Sequence, residues 1–374
     1  MLLRLNPRLV FIALLLVSLA AWLIAREHRP SFLRPGLRLH AYVSSSTAGS
    51  VTIIDLIALA PIATVSVGPT PSGLRSHPTR NEVWGVSTEG GFVWVLDTVS
   101  RQIIARIPVG SSPFALDFSP DGSRAFVASS GSNHLLAIDC RTREVLARVR
   151  TGRRPWLARV SPDGKFLLVP LRDDSALALY DSSSLALLRT IPVAPQPEQV
   201  VVRPDSTAAF VTSAAANRVS AVDLSRHVLL TTLPLSGPPA DLIMKPDGGE
   251  LFVTSPAAHS LDILNTWTTE HTQTLLLGSE PAHAILDPET LLLYVSDAAA
   301  GRILPVEVNS RLVQRPIPAG VRPGVLRLTP GGDLLLVANE DSSDLAVIRT
   351  RPPGSLSTLI PVGPRPSSLT VKIF

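Results

Sequence analysis

The sequence predicts an all-β fold: a single β-propeller of eight four-stranded blades. Three observations predict it. A proline recurs at Pro71, Pro113, Pro155, Pro197, Pro239, Pro281, Pro323 and Pro366, spaced 42 residues apart six times and then 43. Each interval breaks into four short β-type runs separated by turn residues, and helical periodicity is absent from it. A four-strand unit of roughly 40–45 residues, copied at fixed spacing, is the signature of a propeller rather than of a two-domain chain.

The unit from Pro113 to Arg154 shows how each element arises. Ala115-Leu116-Asp117-Phe118 alternates and stops at Ser119-Pro120-Asp121-Gly122, where Pro and Asp favour a type I turn and Gly accepts positive φ. Ala125-Phe126-Val127-Ala128 forms the second strand, followed by the small polar run Ser129 to Asn133. Leu135-Leu136-Ala137-Ile138 forms the third and closes on Asp139. Val145 to Val149 forms the fourth and runs into Thr151-Gly152 and the next proline. Other copies keep the same turns, for example Ser161-Pro162-Asp163-Gly164 and Lys245-Pro246-Asp247-Gly248. Acids close the third strands at Asp55, Asp97, Asp139, Asp181 and Asp223, where turn capping is the expected role. A glycine or small residue stands three positions before each proline of the ruler.

These residues resemble the YVTN-type β-propeller repeat family. The resemblance rests on His40-Ala41-Tyr42-Val43-Ser44, Phe210-Val211-Thr212-Ser213, Phe252-Val253-Thr254-Ser255 and Tyr294-Val295-Ser296-Asp297 as second strands. The Val-Gly-x-x-Pro, Ser-Pro-Asp-Gly and Ile53-Ile54-Asp55 patterns belong with them, and the likeness covers about residues 38–374. It implies an extracytoplasmic binding or surface module, with cofactor-binding and lactonase-like relatives. It is specific for the repeat and weak for the function.

Counting strands closes the ring. First strands follow all eight prolines, but the other three kinds begin one unit earlier, at Tyr42, Val51 and Ile62. Three N-terminal strands plus one C-terminal strand therefore complete the eighth blade, which removes the exposed edge an open end would leave. A seven-bladed ring with one stray unit is the alternative.

Residues 1–26 read as an N-terminal membrane anchor or signal peptide, 27–38 as a stiff linker and 39–374 as the propeller. Arg4 and Arg8 precede the uncharged run of residues 9–25, which is long for a signal-peptide core and at the short limit for a membrane span. An anchored propeller outside the cytoplasm is the favoured reading, with secretion after cleavage beside it. Arg26, Arg29, Arg34 and Arg38 on the far side oppose that orientation under the positive-inside rule.

The net charge of +4 is spread over a chain with three lysines and no basic patch interleaved with aromatics, so no nucleic-acid partner is expected. The lone cysteine, Cys140, cannot form an internal disulfide and reads as a structural thiol. No haem-attachment, zinc, phosphate-loop or serine-elbow motif occurs, and the eight histidines are scattered, so neither a metal nor a cofactor is expected.

The first strand of each blade lines the axial channel, and period-2 alternation separates its faces. Side chains three and five positions after each proline are apolar, with Ser76 the exception, and should pack between blades. Those two and four positions after it should face the channel, which places Arg75, Asp117, Arg159 and Arg327 at one level, with Asp241 and His283 nearby. Two readings stay open: the charges pair with one another in a wet tunnel, or the arginines converge on an anion such as a carboxylate. One rim should carry Arg153-Arg154-Pro155-Trp156, with Phe114 and Glu198 in the neighbouring copies. Arg and Trp there replace small residues and suit a binding anchor. Trp156 covering a gap between blades is the alternative.

The expected function is therefore a membrane-tethered binding or scaffold propeller whose partner is a protein or an anionic small molecule met at the channel mouth. An enzyme, lactonase-like or of oxidoreductase type, is the alternative. His283, Asp241 and Glu198 are the weak catalytic candidates it would need to bring together.

Overall fold

A computed structural model describes residues 37–351 and 354–374. The expected anchor at 9–25 and nearly all of the linker lie outside the described residues. Thirty-two strands, numbered β1 to β32 in chain order, form eight antiparallel four-stranded sheets. Among the described residues no helix is long and apolar enough to cross a membrane.

Seven blades use four consecutive strands. The eighth joins β1 (Leu39–Ser45), β2 (Ser50–Asp55) and β3 (Ala60–Ser66) to β32 (Pro366–Ile373) in the order β3-β2-β1-β32. β1 and β32 pair antiparallel from Leu39↔Ile373 through Val43↔Leu369. Arg38, placed in the linker by sequence, already extends this seam: its N–H donates to the Phe374 carbonyl at 2.8 Å, and its own carbonyl accepts from the Phe374 N–H at 3.0 Å. The three-plus-one closure is thus present, and the seven-bladed alternative is excluded.

The core lies between blades rather than within them. Eight buried apolar clusters occur, one at each blade interface. Trp84, Val86 and Val95 meet Leu116, Val127 and Ile138 in one of them. Leu336 and Val347 meet Ala41, Ile54 and Leu369 at the closure. Burying both faces of each sheet costs no edge, because the ring returns on itself.

Turn chemistry recurs with the period. The Asp139 carboxylate accepts from the N–H groups of Arg141 and Thr142, each at 2.7 Å, and Asp55, Asp97, Asp181 and Asp223 repeat the cap. Four residues after the capping position, Arg101, Arg143, Leu185, His227, Thr269 and Arg311 adopt left-handed backbone, which sets the direction in which the side chain leaves the turn. Arg143 uses that direction to reach the buried Glu82 at 2.9 Å. The second strand ends on a hydroxyl that ties down the loop before the first: Ser87 donates to Pro69 O at 2.6 Å and Ser129 to Val109 O at 2.7 Å.

Candidate functional site

The inner strands are β4 (Pro71–Ser76), β8 (Pro113–Phe118), β12 (Arg159–Val160), β16 (Pro197–Val202), β20 (Asp241–Met244), β24 (Pro281–Leu286), β28 (Pro323–Leu328) and β32. Most share a bulge just after the proline: Pro113 pairs with Ser129, and the next pair is Leu116 with Val127. One extra residue on the inner strand re-aims the side chains next to the proline toward the rim and the axis. In two copies the ladder is interrupted there: β12 begins at Arg159, with Pro155 left in an isolated bridge to Leu171, and β20 begins at Asp241. In the second of these, adjacent prolines at 238 and 239 remove two ladder donors.

The alternation expected along these strands holds for most of them, with Leu157 and Thr370 of the expected channel phase buried and Leu242 and Ala284 of the packing phase only half-buried. Leu74, Leu116, Val200, Leu326 and Leu369 are buried, while Arg75, Asp117, Arg159, Gln199, Asp241, His283 and Arg327 are half-buried. The channel charges fall into two kinds. Asp117 and Asp241 stitch neighbouring inner strands. Asp117 Oδ2 accepts from Arg159 Nη1 and from the Val160 N–H, both at 3.2 Å. Asp241 Oδ2 accepts from the Ala284 N–H at 3.2 Å and lies 3.4 Å from His283 Nδ1. Ser368 and Thr370 do the same uncharged work for the Leu74 and Ser76 N–H groups.

The arginines differ. Arg159 is held by Asp117. Arg327 donates only to the carbonyl of Leu326 at 2.9 Å, and Arg75 forms no ion pair among the described residues. Burial, then repulsion from Arg159, pushes the Arg75 guanidinium down to about 10, with Asp117 opposing and Arg327 adding to the repulsion. Burial likewise lowers Arg327, against the pull of Asp241. Both stay cationic at neutral pH. For His283, burial acts to lower the imidazole, but the bond and charge of Asp241, aided by Glu340, outweigh it and raise the group above 6.5. Arg75, Arg159, Gln199 and Asp241 border a cavity of about 370 Å³.

The rim carries the second group. Arg153, Arg154 and Trp156 share it with the loop following the second strand, where a short 3-10 turn spans Arg172–Asp174. Arg153 Nε donates to Asp174 at 2.6 Å, and Arg154 lies 3.7 Å from Asp173. Left-handed backbone at Arg154, with its N–H on Asn133 Oδ1 at 2.8 Å, fixes its exit direction. Trp156 stacks on Phe114, ring centroids 4.6 Å apart and planes 27° off parallel. Arg172, which sequence reasoning did not single out, lies 4.6 Å above the same indole. It is anchored in turn on Glu198 at 2.8 Å. Phe114, Trp156 and Glu198 are the residues immediately after three successive ruler prolines, and that is the signal that could have found the stack. Trp156 thus bridges blades, and it also borders an open rim cavity of about 520 Å³.

The weak catalytic set is half assembled. His283 and Asp241 touch, whereas Glu198 is committed to Arg172 at the rim. Cys140 is buried at an interface between blades, and burial pushes its thiol up to about 12, which leaves it unreactive.

No family model matches the sequence, and no curated protein matches it. Solved structures do resemble the fold. A dihydro-heme d1 dehydrogenase, NirN, solved in complex with DHE, superposes with a TM-score of 0.73 at 18% identity, covering 92% of this chain and 77% of that one. Kuenenia stuttgartiensis hydrazine synthase gives 0.61 at 19% identity over 75% of this chain and 96% of that one. A functionally unknown protein from Desulfotomaculum acetoxidans gives 0.63 at 12% over 89% and 98%. At these identities the likeness carries the propeller fold and nothing of the chemistry.

Proposed function

We propose that this chain is a binding propeller of the YVTN-repeat type, working outside the cytoplasm and tethered or exported through residues 9–25, whose axial channel receives an anionic group. The observation that carries the reading is the pair Arg75 and Arg327. Both guanidiniums enter the channel without a carboxylate partner among the described residues, and burial and repulsion from neighbouring arginines, Arg159 first, weaken their protonated forms. A planar carboxylate would relieve that repulsion and satisfy the guanidinium fork. Asp117 and Asp241 do not serve this purpose, since their oxygens hold the backbone of the next blade.

Calorimetric titration of the full chain with mono-, di- and tricarboxylates tests this. Arg75→Ala should weaken the best binder by about 1.5–3 kcal/mol, the range for hydrogen bonds to charged groups. Equal affinities for parent and variant would assign the channel charge to solvation alone.

A second reading has one observation in its favour, the His283–Asp241 contact with its raised imidazole. Catalysis at the channel mouth, hydrolytic or redox, would use His283 as acid or base with Asp241 orienting it. It requires that His283→Gln abolish turnover of any lactone or redox substrate found, with binding retained.

A further inference from the structure

The rim cavity has a chemistry of its own, separate from the channel arginines. Phe114 and Arg172 both lie 4.6 Å from the Trp156 ring. Both pack on the indole, and Glu198 holds the Arg172 end of the stack. What is left open is the outer face of Phe114, which is 41% exposed and borders the cavity. A platform braced in this way from behind loses little side-chain entropy when something lies on it.

The polar groups around the platform are electrically balanced. Arg154 faces Asp173 at 3.7 Å, and Arg153 is taken by Asp174. The cavity thus offers no uncompensated cation to an anion, in contrast to the channel. It does offer planar donor and acceptor groups. Asn133 receives the Arg154 N–H on its Oδ1, which leaves its NH₂ as a free donor. The Asp173 carboxylate is 47% exposed, and the Ser112 and Ser130 hydroxyls line the same space. The volume, about 520 Å³, falls within the range of small-molecule clefts, roughly 300–1,000 Å³.

We propose that this rim cavity is a carbohydrate-binding site, in which the C–H face of a neutral pyranose lies on Phe114 and its vicinal hydroxyls bond Asp173, Arg154 and Asn133. The negative face of an aromatic ring attracts the polarised C–H groups of a sugar. Adjacent hydroxyls match the spaced oxygens of a carboxylate and the paired N–H groups of a guanidinium. A planar aromatic ligand is disfavoured, because the site provides one stacking face and a polar wall instead of a slot. An anion is disfavoured by the two local ion pairs.

Saturation-transfer NMR on the full chain, with cellotetraose, chitotetraose and maltotetraose as probes, decides the matter. At least one probe should receive transfer on its ring C–H protons. Phe114→Ala should remove that transfer and Phe114→Trp should keep it. Asp173→Asn, an isosteric change on an exposed turn, should weaken binding about tenfold, the effect of losing a hydrogen bond to a charged group. If Phe114→Ala fails to fold, judged by its melting curve, Asp173→Asn carries the test. Absence of transfer to all three probes, or transfer that survives both substitutions, would overturn the proposal.

Discussion

Arg75 and Asp117 stand one repeat apart at the same level of the channel, and their neighbours give them opposite roles. Asp117 accepts from two donors of the next blade, so Asp117→Ala leaves the Val160 N–H without its acceptor and the Arg159 guanidinium with only the Val200 carbonyl at 3.4 Å. That should cost about 1–3 kcal/mol in urea unfolding. Arg75→Ala removes a side chain with no partner and should change stability by no more than about 0.5 kcal/mol. Similar losses for both would dissolve the distinction. Period-2 alternation shows that these residues face the axis, but it does not say which backbone donors lie opposite. His77 illustrates a second contrast. Its Nδ1 accepts from the Thr79 and Arg80 N–H groups at 3.2 and 3.0 Å, and its Nε2 lies 2.9 Å from the Gly122 carbonyl, so the fold needs the neutral ring. Burial lowers the imidazole below 6.5, against Glu82 and the Gly122 carbonyl. A depressed folded value means the stabilisation is complete above 6.5 and is lost as pH falls below it. The stability gap between the parent and His77→Gln should therefore narrow on acidification through that range. A gap independent of pH would show that the ring's protonation is not linked to folding.

At the scale of the element, strands and turns were legible because each carries its own local chemistry. Asp139 caps the turn its spacing predicts, and Ser119-Pro120-Asp121-Gly122 makes the turn its residues demand, with Gly122 at φ 70°. The bulge after most of the ruler prolines was not legible, since it depends on the pairing of two strands, and neither strand signals it alone. That bulge aims Phe114 and Glu198 along the rim, and Trp156 joins them from the copy whose inner strand begins only at Arg159. Sequence reading had these residues at the correct edge but could not join them, because the joining residue, Arg172, comes from a different loop. Close approach within a blade is equally invisible from sequence. Gly85 sits in the middle of β5 (Glu82–Ser87), and a Cβ there would come within 2.2 Å of the buried Trp94 indole. Gly85→Ala should therefore destabilise the protein by about 1–3 kcal/mol, the usual cost of overpacking. A melting temperature equal to the parent's would mean that the blade can open around Trp94 without strain.

The whole molecule was the most legible level, because a fixed period fixes both the unit and its number, and the count of each strand type dictates how the ring must end. Function was the least legible level, since the repeat spends most residues on interfaces between blades and leaves only the positions beside the prolines free to vary. Closure is where architecture can be tested most directly. β32 supplies the inner strand of the last blade, pairs with β1 along its length and places Leu369, fully buried, in the cluster that joins the last blade to its neighbour. Val371 and Ile373 pack on the same cluster. Deleting residues 366–374 would strip the hydrogen-bonding edge of β1 and open two blade interfaces at once, since β32 also abuts β4 and β28. A bare inner edge cannot be covered by solvent-facing charges, and it presents an apolar strand for pairing with other chains. The truncated chain should therefore lose its cooperative melting transition or elute as aggregate on size exclusion. Adding a synthetic peptide of residues 366–374 should restore part of the transition by strand addition. A truncated protein that stays monomeric and melts at the parent's temperature would show that seven blades close without the eighth's inner strand, and the three-plus-one seam would then be an ornament of the fold and not its lock.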